Sequence, residues 1–278
     1  MDFKSGTLYV VATPIGNLED ISFRAVNILK DSDLCAAEDT RISKKLFNHY
    51  DIKTKLISFH KFSENRKYSY FIKALQRGLD VSLISDAGTP LISDPGFPLV
   101  KRAAELNLKI IPIPGPSSIL SSLSISGFPL DKFSFFGFPP RKSSLKKLFF
   151  DEVNKEKNTI VFFESGRRIE KFLIELDSFA GERSIFVARE LTKMHETFYR
   201  GTVENVLQQI QYDKFGKKGE FVIILENKSK KSHLQHLSDE QMRILNILLE
   251  NLPNNKALLL ASNILGMSKN YLYKQTKT

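Results

Sequence analysis

Twelve consecutive residues, Ser85-Asp86-Ala87-Gly88-Thr89-Pro90-Leu91-Ile92-Ser93-Asp94-Pro95-Gly96, carry two aspartates, three hydroxyl side chains, two glycines and two prolines. This composition suits a backbone held in sharp turns, with side chains and amides free for a ligand, and exceeds what a plain chain reversal needs. The alternative is a well-capped turn leading into a helix near Phe97. Two more loops of the same kind are present, Thr13-Pro14-Ile15-Gly16-Asn17-Leu18 and Pro112-Ile113-Pro114-Gly115-Pro116-Ser117-Ser118. Glu38-Asp39-Thr40-Arg41 is a fourth polar stretch. It reads equally well as a helix start, with Thr40 or Asp39 at the N-cap, or as part of a site.

Each stretch follows an apolar run. The runs predict strands at Thr7 to Ala12, Leu34 to Ala37, Lys55 to Phe59, Val81 to Ser85 and Lys109 to Ile113. Between them, Ser22 to Lys30, Arg41 to Tyr50, Glu64 to Arg77 and Phe97 to Leu106 have apolar residues at helical spacing. Strict alternation implies parallel strands with crossover helices. Ligands of such sheets sit beyond the carboxyl ends of the strands, where these loops lie, so the loops are expected to converge on one cleft.

After a helix over Ser117 to Ser126, Gly127-Phe128-Pro129 reads as a joint. Strands are then expected at Phe133 to Gly137, Thr159 to Glu164, Ser184 to Arg189, Glu196 to Gly201 and Glu220 to Glu226, with a helix over Val203 to Tyr212. Short connections among the last three suit a mixed sheet. The expected organisation is an N-terminal α/β domain (1–116), a second α/β domain completing the cleft (117–227), and a linker with a helical extension (228–278). In the extension, Ser238 and Gln241 form a capping pattern, and helices are expected near Asp239 to Asn251, Asn255 to Leu265 and Ser268 to Lys274. The second of these ends at Gly266. Lys269, Asn270, Tyr271 and Lys274 would lie on the last, in a spacing that resembles a helix-turn-helix.

The chain has 278 residues and 42% apolar content, enough for two domains. No apolar run approaches the roughly 20 residues that span a bilayer, and no signal-like segment opens the chain, so a cytoplasmic protein without a membrane partner is expected. A single cysteine, Cys35, excludes an internal disulfide, and five histidines without ligand spacing make a metal site unexpected. Net charge is +10, of which +5 falls in residues 227–278. Such a tail serves nucleic acid through phosphate contacts, or is a solubilising lysine-rich surface. Between Phe136 and Lys147, Phe136 and Phe138 precede Arg141, Lys142, Lys146 and Lys147. Aromatic and basic residues together hold single-stranded nucleic acid, and the same pattern also describes an exposed helix face after a strand.

Seven motifs in order resemble the ribosomal RNA small subunit methyltransferase I family, a branch of the tetrapyrrole methylases. They are Ala12 through Leu18, Ala37-Glu38-Asp39-Thr40-Arg41, Ser85 through Gly96, Pro114-Gly115-Pro116, Phe163-Glu164-Ser165, Ala188-Arg189-Glu190-Leu191-Thr192-Lys193 and Lys218-Gly219-Glu220. In one loop Gly166-Arg167-Arg168 stands where the family commonly has a histidine before the arginine. The resemblance implies a class III methyltransferase fold, S-adenosylmethionine in the cleft, and a homodimer. It also implies methyl transfer to the ribose 2′-hydroxyl of a cytidine in the decoding region of 16S ribosomal RNA, within the 30S subunit. A small tetrapyrrole-like acceptor and a non-catalytic ribosome-binding protein are the alternatives. On this basis Pro14, Asp86, Gly88, Leu91, Ser93, Ser117, Ser118, Phe163, Leu191 and Gly219 are expected to surround the cofactor. Glu190 or Lys193 is expected as the base or orienting group, with Glu38 and Asp39 behind them.

Overall fold

The computed structural model describes residues 5–60, 64–180, 183–228, 237, 239–265, 269 and 272–273. Contacts divide the chain into two compact units, 1–228 and 229–278.

The first unit holds two five-stranded sheets. The N-terminal sheet consists of β1 (Thr7–Val11), β2 (Leu34–Ala37), β3 (Lys55–Ser58), β4 (Val81–Ile84) and β5 (Lys109–Ile113), in the order β3-β2-β4-β1-β5. All four pairings are parallel. β2 and β4 are buried at every position, as interior strands covered on both faces must be. Pro112 is tolerated in β5 because that strand is at the edge, where a missing N–H breaks no ladder. Helices α1 (Phe23–Asp31) and α2 (Thr40–His49) cover one face, packing Ala25, Leu29, Leu46 and Phe47 on Cys35 and Ile84. On the other, α3 (Glu64–Gln76) and α4 (Phe97–Glu105) pack Phe71, Leu75, Leu99 and Ala103 on Leu8 and Leu83.

Helix α5 (Ser118–Ser126) leads to the second sheet: β6 (Phe133–Gly137), β7 (Thr159–Ser165), β8 (Ser184–Arg189), β9 (Thr197–Thr202) and β10 (Glu220–Leu225), in the order β6-β7-β10-β8-β9. Only β6 and β7 pair in parallel, so the sheet is mixed. One face buries Phe162, Ile185, Val187 and Ile223 beneath α6 (Ser143–Lys155), α7 (Ile169–Ala180) and α8 (Val203–Tyr212). The opposite face, through Val161, Phe186, Val222 and Ile224, packs on Ile119 and Leu123 of α5 and on Ile15 from the loop after β1. The two sheets are thus joined by a shared apolar core, which fixes the loops between them.

In the second unit, α9 (Asp239–Asn251) and α10 (Asn254–Leu265) pack around Leu245, Leu258 and Ala261, with Leu272. Lys228, just before it, donates to the backbone carbonyl and side chain of Asn154. The expected cap Ser238, linker residues 229–235, Gly266, Ser268, Asn270, Tyr271 and Lys274 lie outside the described residues. Among the described residues, no helix is long and apolar enough to cross a membrane.

Candidate active site

Four loops leave the carboxyl ends of the first sheet and are tied to one another. Thr13 and Gly88 exchange backbone hydrogen bonds at 2.9 and 3.0 Å. Thr13 Oγ1 donates to the Ser85 carbonyl at 3.2 Å, and Thr89 Oγ1 to that of Pro116 at 3.3 Å. The Asp39 N–H donates to Asp86 Oδ1 at 2.9 Å, while the Asp86 N–H reaches Glu38 Oε2 at 3.3 Å. Asp39 itself caps α2 through the Arg41 N–H and pairs with the Arg41 guanidinium at 2.6 Å. Hydrogen bonds from Arg41 hold its carboxyl at about 2, far below the usual range. Asp39 is therefore a structural cap. Its neighbour Glu38 faces the cavity.

The second sheet contributes the turn after β8 and the start of β10. Lys193 Nζ lies 2.9 Å from Glu190 Oε1 and 2.8 Å from Glu220 Oε2, and Glu190 Oε1 also accepts the Glu220 N–H at 2.9 Å. The turn touches the first half directly: the Asn17 N–H donates to Thr192 Oγ1 at 3.0 Å. A β-carbon on Gly16 would sit 2.7 Å from the Leu191 carbonyl oxygen and 2.5 Å from Lys193 Cγ, so only glycine allows this approach. Leu91, Ser93, Glu190 and Thr192 all have left-handed backbones, with φ of 74°, 71°, 51° and 62°. Such conformations cost about 1–3 kcal/mol each and persist where surrounding structure holds them, characteristically at ligand sites.

These loops enclose a cavity of about 400 Å³. Its walls mix apolar groups, including Ile15, Ile92, Ile119, Phe163, Leu191 and Val222, with six carboxylates: Glu38, Asp86, Asp94, Glu164, Glu190 and Glu220. Lys193 is the one basic residue among the described lining. Burial, with Asp94, Asp86 and Asp39 nearby, pushes Glu38 up to about 7 against the Asp86 N–H. Burial likewise raises Asp94 to about 6, opposed by the Ser85 hydroxyl. Asp86 is raised by burial too, against the Asp39 N–H. Glu164 is raised by burial; its Oε2 lies 3.0 Å from Arg168 but out of line for a hydrogen bond. Burial disfavours charge on Glu190 as well, yet Lys193 and the Glu220 N–H outweigh it and keep Glu190 below its ordinary value. Lys193 is desolvated, and Glu220 and Glu190 still hold it above its own.

Of the residues expected around a cofactor, Asp86, Gly88, Ser93, Ser117, Ser118, Phe163 and Leu191 line the cavity, as do Glu190 and Lys193. Ser117 also caps α5 through the Leu120 N–H. Pro14 does not line it; it borders a separate cavity of about 130 Å³ with Leu18, Ile42 and Lys45. Leu91 and Gly219 are not among the lining residues; a β-carbon on Gly219 would meet the Glu190 carboxylate at 2.5 Å. Of the four expected RNA-binding residues, Arg141, Lys142 and Lys147 are exposed. Lys146 instead lies against both carboxylate oxygens of Glu175 at 2.5 and 2.6 Å, with about a fifth of its side chain exposed. Phe136 packs into the core, and Phe138 stands over Phe163 at the cavity. Among the lining residues that sequence reasoning missed are Ile15, Asp94, Ile119, Phe138, Glu164 and Glu220. Of these, all but Ile119 sit in stretches it had singled out, and Ile119 directly follows one.

Residues 7–207 match the family model described as tetrapyrrole (corrin/porphyrin) methylases. The chain is 42% identical over 273 residues to a protein of Pseudomonas aeruginosa named ribosomal RNA small subunit methyltransferase I, covering 98% of this chain and 97% of that one. It is 43% identical over 268 residues to the Vibrio cholerae protein of that name, covering 96% and 93%. Among solved structures, diphthine synthase superposes with a TM-score of 0.63 at 14% identity, over 80% of this chain and 90% of that one. Uroporphyrin-III-C-methyltransferase from Thermus thermophilus gives 0.54 at 16% identity, over 80% and 94%. The two-sheet fold is therefore that of the class III methyltransferases, and the chain belongs to the tetrapyrrole methylase family, in its ribosomal RNA small subunit methyltransferase I branch.

Proposed function

We propose that the protein transfers a methyl group from S-adenosylmethionine to the ribose 2′-hydroxyl of a cytidine in the decoding region of 16S ribosomal RNA. In this reading it acts on the 30S subunit, as a cytoplasmic homodimer. The observation that carries the reading is the acid-rich cavity bounded by loops of both sheets. Its size falls in the roughly 300–1,000 Å³ range of small-molecule sites. Six carboxylates suit a ligand bearing sulfonium and ammonium charges, and Phe163, Ile119 and Leu191 suit a purine ring. The residues that would hold it are Asp86, Gly88, Ser93, Ser117, Ser118, Phe163 and Leu191. The names of the relatives and the net charge of +10 support a ribosomal RNA acceptor.

When bound, S-adenosylmethionine supplies an already activated methyl group, so the protein must chiefly align the acceptor and take up its proton. We assign the proton to Glu38. Glu38 lines the cavity, and burial raises its carboxyl toward the range in which a carboxylate can accept a proton at neutral pH. Glu190 and Lys193 suit that task poorly, because their ion pair keeps one acidic and the other protonated. They position the β8 turn against Glu220. The test offers labelled S-adenosylmethionine with three acceptors: small subunits from a strain lacking the protein, naked small-subunit RNA, and a tetrapyrrole precursor. Label in RNA is the expected result. Label in the tetrapyrrole alone would replace the acceptor, and transfer to none of the three would refute the reading.

A further inference from the structure

Beside the cavity lies an exposed aromatic platform to which the mechanism assigns no task. The rings of His195 and Phe215 stack with centroids 5.5 Å apart and planes 14° from parallel, and Phe215 is 39% exposed. The ammonium groups of Lys214 and Lys218, both on exposed residues, each stand 5.6 Å from the Phe215 centroid. Lys217, between them, turns away to Glu170 at 2.7 Å.

The platform is rigidly built from beneath. Arg189, only 4% exposed, donates from Nε to the Lys218 carbonyl at 2.8 Å and from Nη1 to the His195 carbonyl at 3.2 Å. One buried guanidinium thus holds both loops. Asp213 fixes the other end, accepting from the Tyr199 hydroxyl at 2.5 Å and the Phe215 N–H at 2.8 Å. An exposed aromatic stack with two ammonium groups over its Phe215 ring does nothing for a hydrophobic core. It matches the demands of a nucleotide, whose base needs a flat surface and whose phosphates need positive charge. Its place is equally specific: Arg189 directly precedes Glu190, His195 follows Lys193 by two residues, and Lys218 precedes Glu220 by two.

We infer that His195, Phe215, Lys214 and Lys218 form a stacking shelf for an RNA nucleotide flanking the one that reacts. The inference rests on the ribosomal RNA reading above and adds where the strand runs. The test measures binding of the full-length protein to unmethylated small subunits across a potassium chloride series, with S-adenosylmethionine affinity measured in parallel by calorimetry. Lys214→Ala/Lys218→Ala should lower the slope of log affinity against log salt by about 1.4, two contacts at about 0.7 each. Phe215→Leu, which keeps an apolar side chain without the ring, should weaken RNA binding about tenfold. Both should keep wild-type affinity for the small molecule. Wild-type RNA affinity and slope in both variants would overturn the shelf and leave the functional reading standing. A loss of S-adenosylmethionine binding equal to the loss of RNA binding would also overturn it, showing a role in folding the loops. A wild-type protein that binds no subunit RNA would refute the functional reading, and the shelf with it.

Discussion

Replacing Glu38 with glutamine changes one charge at nearly constant shape, and the amide oxygen can still accept the Asp86 N–H that Glu38 Oε2 now accepts at 3.3 Å. The carboxyl stands at about 7 instead of 4.5 because it is buried and because Asp94, Asp86 and Asp39 repel its charge. That displacement corresponds to about 3 kcal/mol. Solvent screening of a partly exposed group reduces it to about 1–2 kcal/mol. The sign follows from proton counts. Between 4.5 and about 7 the folded protein binds more protons at Glu38 than the unfolded chain does. Stability from this group therefore falls as pH rises across that window and stays lower above it. Glu38→Gln removes the penalty, so its melting temperature should exceed that of the wild type by about 2–6 °C at about pH 8 and match it below about pH 5. Turnover should move the other way, falling about 10²–10⁴-fold as expected for a lost proton acceptor. The acidic limb of the wild-type pH–rate profile, centred near 7, should vanish. Calorimetric melting and a pH series of methyl transfer read both effects. A variant that is stabilised yet retains wild-type turnover and its acidic limb would refute Glu38 as the acceptor.

Further substitutions separate positioning from binding. Lys193→Ala removes the cation shared by Glu190 and Glu220 and should lower kcat/KM about tenfold, the size of one charge-assisted hydrogen bond; Lys193→Arg should restore most of it. Full activity in the alanine variant would mean that the pair holds nothing the reaction needs. Arg141→Ala/Lys142→Ala should lower the salt slope of RNA binding by about 1.4, whereas Lys146→Ala, already committed to Glu175, should leave that slope unchanged and lower the melting temperature. An equal slope change for Lys146 would show that its ion pair opens in the complex.

The first sheet was legible because its strands are short apolar runs separated by amphipathic helices, and parallel strands buried on both faces need no finer pattern. The mixed character of the second sheet was legible from its short connections. That the loops after β1, β4 and β5 converge on one cavity also followed, since they leave the carboxyl ends of the strands. Which side chains within a loop point inward did not. Ser93 and Glu220 line the cavity while Leu91 and Gly219 do not, and the left-handed backbones at Leu91 and Ser93 are ones no local propensity favours. Lys146 illustrates the same limit. In sequence it belongs to a basic run, and only the packing of α6 on α7 brings it to Glu175, 29 residues away. Ile15 sits in a polar loop but contributes to the core joining the two sheets, a contact set by tertiary packing.

The atom that receives the methyl group can be identified directly. The direct measurement is single-turnover transfer of labelled methyl from S-adenosylmethionine to small subunits lacking the modification, followed by digestion to nucleosides and mapping of the labelled fragment. Label is expected in 2′-O-methylcytidine from the decoding region, sharply reduced with Glu38→Gln. Label on a base, or on a ribose elsewhere in the RNA, would contradict the proposed reaction.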